Sequence, residues 1–133
     1  MTTELGFPPV HADPLAPAKL GPISLRNRVI KAATFEGLTP KGLVSDELIE
    51  FHRRPAAGGV GMTTVAYCAV SYEGRTSPAQ IYWRDEAMPG LRRLTDAIHD
   101  EGAAVSAQIG HAGPVKGTDQ VSVVFFGDGA SSQ

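Results

Sequence analysis

The sequence predicts an α/β fold built on parallel strands. Three observations carry this. Short apolar runs alternate with amphipathic stretches, in the order strand, helix, strand, helix, strand. The later runs, VGMTTVAYCAV and AAVSAQI, are apolar on both faces, as buried parallel strands are. Gly 15 and Pro 10 among 133 residues point to many tight connections between short elements. Parallel strands joined in this way take right-handed crossovers.

Residues 1 to about 18 are Pro-rich and polar without a period, an extended lead-in. In KLGPISLRNR (Lys19 to Arg28), Gly21-Pro22 is turn chemistry, and Ile23 and Leu25 alternate with Ser24 and Arg26, so a short hairpin is expected. Val29 to Ala33 reads as a buried strand and Thr34 to Val44, with Gly37, Pro40 and Gly42, as a loop. Ser45 is placed to cap a helix over DELIEFHRR, with Asp46 and Glu47 at the positive end of its dipole. Leu48, Ile49 and Phe51 would form its apolar face, and Pro55 followed by Gly58-Gly59 would end it.

Val60 to Val70 is rich in β-branched and small residues and predicts a second strand. Ser71 to Arg84 is a long polar loop carrying Tyr72, Tyr82 and Trp83. Pro89 suits a first helical turn, Leu91, Leu94 and Ile98 recur on one face, and Gly102 stops the helix. Ala103 to Ile109 is a third strand, Gly110 to Gly117 a loop, and Val121 to Phe126 a further apolar run of strand character.

Composition excludes several classes. Apolar residues at 42%, charged residues at 20% and a mean hydropathy of -0.08 are those of a globular chain, not of disorder or a coiled coil. Twelve Lys plus Arg against 14 Asp plus Glu gives a net charge of -2, which offers phosphates no basic stripe and argues against nucleic acid as partner. No apolar run approaches the ~20 residues that cross a bilayer, and the first residues lack the pattern of a secretory signal. A single cysteine, Cys68, leaves no internal disulfide framework and suits a reducing, cytoplasmic compartment. Neither HxxxH nor CxxC spacing is present, so no metal site is expected.

Ligands of parallel α/β folds gather at the carboxyl ends of the strands. Here those ends are Ala32-Ala33-Thr34, Ala66 to Val70, and Gln108 to His111. The small side chains of the first let a flat ligand approach the backbone, or let a helix pack closely on the strand. Gln108 ends an otherwise apolar strand, and its amide suits a heterocycle edge or a backbone partner equally. His111 can act as acid, base or donor, or hold the loop. Cys68 reads as a buried, inert thiol. Tyr72, Tyr82 and Trp83 stack on a ligand or pack their loop down, and His52 and His99, on helices, read as surface residues.

The segments LGPISLRNRVIKAAT, AAGGVGMTTVAYCAV, EGRT and AQIGHAG, in this order, resemble the amino-terminal part of the old yellow enzyme family, FMN-dependent NAD(P)H oxidoreductases with a TIM barrel. The resemblance runs from about Pro14 to Gly113 and covers the first three barrel strands. It implies a partial TIM barrel at 19–115, FMN as cofactor, NAD(P)H as reductant, and an activated alkene or similar small molecule as acceptor. It places Ala33 and Thr34 near the flavin N5 edge through their backbone, Tyr67 beside the isoalloxazine, Gln108 on the flavin pyrimidine, and His111 near the cofactor. Phe35 stands where many members have Cys or Thr, and Pro114 where Arg is common. The family's substrate-binding pair and proton-donating Tyr lie on later strands, so catalytic residues are not assigned, and a truncated chain of low activity is expected. The alternative is an inactive fragment serving as an interaction module.

The tail, DQVSVVFFGDGASSQ, resembles the start of the thiamine-diphosphate motif of 2-oxo acid dehydrogenase α-subunits, in which Asp128 would ligate Mg²⁺. Its plain reading is a Gly-flanked β-turn, and residues 116–133 are expected to be unrelated to the barrel part. Three or four strands outside a closed barrel leave two open edges, so self-association through them is expected.

Overall fold

The structure, a computed structural model, describes residues 12–113 in full and the backbone of residues 121–126. The first part of the lead-in, Pro114 and the GDG turn with Asp128 lie outside the described residues. Two short strands, β1 (Ala18–Leu20) and β2 (Ile23–Leu25), form the expected hairpin. Ala18 pairs with Leu25 and Leu20 with Ile23. Gly21 turns the chain at φ +57°, a conformation that costs glycine little.

The main sheet has the order β3-β4-β5-β6, from β3 (Ile30–Lys31), β4 (Met62–Ala69), β5 (Ala104–His111) and β6 (Val121–Phe126). Helix α1 (Asp46–Ala57) connects β3 to β4, and α2 (Met88–Asp100) connects β4 to β5. These three strands run parallel, as their alternation with helices predicts. β6 returns antiparallel along β5, its Val124 opposite Gln108. The described residues therefore form an open, partial α/β layer, with β3 and β6 at its edges.

Both helices start as their sequences require. The Ser45 hydroxyl accepts the Leu48 N–H at 3.1 Å, and Pro89 stands in the first turn of α2. Pro55 does not end α1. It sits inside the last turn, where it forfeits one N–H bond, and the helix runs on to Ala57 before Gly58 and Gly59 stop it. The core between helices and sheet is made by Leu48, Ala56, Val65, Cys68, Leu94 and Ile98.

Three expectations are corrected. The buried face of α1 is the i, i+4, i+8 stripe of Leu48, His52 and Ala56, rather than Leu48, Ile49 and Phe51. His52 is accordingly 0% exposed and not a surface residue, while Phe51 is 39% exposed. The segment at 29–33 is not a buried strand. Only Ile30 and Lys31 pair with β4, and Val29 and Ile30 are 39% and 42% exposed because β3 has a neighbour on one side only. β5 runs on through Gly110 and His111, expected as loop, because both pair with β6.

Candidate functional site

The carboxyl ends of β3, β4 and β5 lie side by side, and with them the residues singled out from the sequence. Ala33 and Thr34 follow β3 after Ala32 and leave their backbone outside the ladder. β4 changes register near its end. Val65 pairs with Ala107 and Cys68 with Ile109, so Ala66 and Tyr67 together stand opposite Gln108. Such a bulge re-aims a side chain out of the regular alternation. The Tyr67 hydroxyl is buried and has no hydrogen-bond partner among the described residues. An unmet buried hydroxyl is costly for a phenol. Gln108, half-buried on the neighbouring strand, makes no side-chain hydrogen bond among the described residues either. Below them Thr64 and Ser106 join the same two strands through their hydroxyls at 2.8 Å.

The backbone behind Tyr67 is fixed by a residue that no sequence pattern singles out. Gln80, 1% exposed, donates its amide N–H to the Tyr67 carbonyl at 3.1 Å. Its Oε1 accepts from the Thr76 N–H at 2.5 Å and the Thr76 hydroxyl at 2.8 Å. The loop after β4 is thereby tied to the bulge.

His111 is held rather than free. Its Nδ1 accepts the Gly113 N–H at 2.9 Å, which leaves the ring proton on Nε2. The ring lies against Gly74, where a Cβ would stand 2.5 Å from Cδ2. The Ala112 N–H donates to the Gly74 carbonyl at 2.9 Å, so His111 docks the 71–84 loop on β5. In that loop Tyr72 and Tyr82 meet edge to face at 5.5 Å, with Arg75 over Tyr72 and Arg84 over Tyr82. Two of the three loop aromatics thus pack the loop, and Trp83 stays 60% exposed. The carboxyl of Glu73 is held below its ordinary range, first by its own backbone N–H.

Cys68 faces the core, and burial raises its thiol to about 11, with the charge of Glu36 adding to the effect. A thiol so raised is protonated at neutral pH and is a poor nucleophile, as the sequence predicts. No group of three or more His, Cys, Asp or Glu side chains able to hold a metal occurs among the described residues. No helix among them is long and apolar enough to cross a membrane.

Three likenesses to known proteins bear on this arrangement. The 4,4'-dithiodibutanoate disulfide reductase of Rhodococcus erythropolis is 62% identical over 102 residues, covering 77% of this chain and 25% of that protein. A solved 2-naphthoyl-CoA reductase, in complex with 2-naphthoyl-CoA, superposes with a TM-score of 0.72 at 33% identity, over 75% of this chain and 16% of that one. The old yellow enzyme of Trypanosoma cruzi shares the fold at a TM-score of 0.65 and 24% identity, over 75% of this chain and 27% of that one. The chain thus spans about a third or less of the length of the proteins it matches. The family model for NADH:flavin oxidoreductase / NADH oxidase matches residues 15–131. The chain belongs to that family, the old yellow enzyme family, whose cofactor is FMN and whose reductant is NAD(P)H.

Proposed function

We propose that these residues form the part of an FMN site that holds the flavin's pyrimidine edge, within an oxidoreductase taking hydride from NAD(P)H to an activated alkene or similar small acceptor. The observation that carries this reading is the bulge of β4, which brings Ala66 and Tyr67 opposite Gln108 at the strand ends, with the buried Tyr67 hydroxyl lacking a hydrogen-bond partner among the described residues. An amide offers a donor and an acceptor side by side, as a pyrimidine edge requires. The Ala33-Thr34 backbone, next to small side chains, would meet the N5 edge, Tyr67 would lie beside the ring system, and His111 would line the site while docking its loop. Bound there, FMN would supply the redox chemistry, and the protein's part is orientation and exclusion of water. The name of the Rhodococcus relative adds an organic disulfide to the acceptors worth testing. A reducing, cytoplasmic setting goes with this reading and suits the reduced Cys68.

Titration with FMN tests it. Gln108→Ala should weaken binding by roughly 1–3 kcal/mol, the cost of leaving buried ligand groups without their partner. Equal affinity of the two proteins would remove Gln108 from the site.

We further propose that these 133 residues, taken alone, turn over slowly or not at all and associate through the open edge of the sheet. The exposed Val29 and Ile30 along β3 support the association. Light scattering after gel filtration should show dimers or larger species at tens of micromolar. A monomer with sharp cooperative unfolding would contradict it, and NADPH oxidation with an enone at an ordinary flavoenzyme rate would contradict the low turnover.

A further inference from the structure

A second polar cluster lies behind the strand ends, and the flavin reading does not use it. Lys31 Nζ donates to the Ala32 carbonyl at 3.1 Å and to Thr34 Oγ1 at 3.2 Å. The Thr34 hydroxyl in turn points to Glu36 Oε1 at 3.4 Å. The same carboxylate oxygen stands 3.4 Å from His52 Nε2 and 3.8 Å from Lys31 Nζ. Across the imidazole, His52 Nδ1 meets Thr63 Oγ1 at 2.8 Å. One line of polar contacts therefore runs from β3 through the loop to α1 and on to β4.

The burial is what makes this line unusual. The Glu36 side chain is 3% exposed and that of His52 0%, although Glu36 belongs to a loop. Loops ordinarily keep such groups in water. A carboxylate withdrawn from water costs several kcal/mol unless a cation and hydrogen-bond donors meet it. Here the Thr34 hydroxyl meets it, Lys31 Nζ stands 3.8 Å away, and His52 Nε2, 3.4 Å away, lies close without completing a hydrogen bond among the described residues. Turning Thr34 away would cost Glu36 one of its few donors, so the acid selects one conformation of residues 32–36. A hydrophobic side chain at position 36 would fill the space without that selection.

We propose that Glu36 and His52 are positioning residues that fix the Ala33-Thr34 backbone at the mouth of the site. The inference rests on the FMN reading for what that backbone meets, and on the contacts above for how it is held. Neither side chain touches the ligand in this account. Both act through Thr34.

Hydrogen exchange and flavin titration of Glu36→Gln, His52→Gln and Thr34→Val test it. Thr34→Val cuts the line at an exposed atom, keeps the β-branch and leaves the core intact, so it serves where the buried variants fold poorly. In ligand-free protein the amides of residues 32–36 should exchange several-fold faster in all three variants. FMN should bind roughly tenfold more weakly, as for the loss of one charge-assisted hydrogen bond, and the absorption band of the bound flavin should shift. Unchanged exchange at 32–36 overturns the tie to Glu36. Faster exchange with wild-type affinity and an unshifted band overturns the positioning role and leaves a structural one. A wild-type protein that binds no FMN overturns the flavin reading instead, and the exchange measurement still judges the tie.

Discussion

Replacing Arg26 with alanine removes the clamp between the hairpin and both helix ends. The guanidinium makes contacts with three carbonyls. Nε and Nη2 donate to Val60 at 3.0 and 2.9 Å, Nη1 to Glu101 at 2.8 Å, and Nη2 also to Ala56 at 2.5 Å. Ala56 is in the last turn of α1 and Glu101 follows α2, so the cation sits where two helix dipoles are negative. A hydrogen bond from a charged donor contributes about 1.5–3 kcal/mol when buried. Arg26 is largely exposed, and water replaces it at Val60 and Glu101, so only the part-buried Ala56 carbonyl loses its full share. The expected loss is roughly 2 kcal/mol, one buried charged bond plus a residue of dipole attraction. For a domain of this size that lowers the Tm by about 7 °C. Urea unfolding followed by circular dichroism measures it. Arg26→Lys keeps the charge but not the fork, and should fall between wild type and alanine. A loss below ~0.5 kcal/mol, the scale of an ordinary surface substitution, would show that the hairpin is held by apolar packing alone.

Cys68 makes stability depend on alkaline pH. The thiol ionises near 9.0 in the unfolded chain and near 11 in the fold, so its contribution is complete below 9.0 and is lost as pH rises toward 11. The loss approaches roughly 2–3 kcal/mol, and Cys68→Ala should flatten the curve. Unchanged pH dependence in that variant would mean another group carries it. Gly61→Ala should destabilise by about 2–4 kcal/mol, since its Cβ would overlap the Asn27 backbone carbonyl, which cannot turn aside. Gly74→Ala meets only the edge of the His111 ring and should cost less while displacing that ring, which the chemical shifts of its protons would report.

The sequence carried the parts of the fold that local chemistry decides. The hairpin follows from Gly21, which alone takes the +57° turn cheaply, and the start of α1 from the Ser45 hydroxyl, which reaches the Leu48 N–H. The strand ends, and with them Ala33, Thr34, Tyr67, Gln108 and His111, follow from alternation, because parallel strands put their carboxyl ends on one side. What stayed hidden depends on contacts between distant segments. The bulge at Ala66-Tyr67 is set by register against β5, and Gln80 finds Tyr67 only through a loop closed by tertiary packing. His52 is the instructive miss. Read by residue type, it is a polar group to be left in water. Read by position, it is the middle of the Leu48, His52, Ala56 stripe, and a helix cannot bury its neighbours four residues away on both sides and expose it.

That contradiction between type and position is itself a signal. A polar residue that the helical period forces into a core needs a partner there. The partners available to His52 are Thr63 on the strand beneath and Glu36 on the loop above. The first is supplied by the β4 pattern, whose Thr63 faces the helices as Val65 does. The second requires the loop to fold inward, against the ordinary tendency of an acidic loop residue. Glu36 is therefore where the demands of the core reach the segment that borders the candidate site. A change at Glu36 should be felt at Thr34 before it is felt in global stability, because Thr34 loses its acceptor while the apolar core around Leu48 and Leu94 stays packed. Exchange at residues 32–36 that rises only together with global unfolding would show that core and loop are one cooperative unit, and that the loop has no conformation of its own to select.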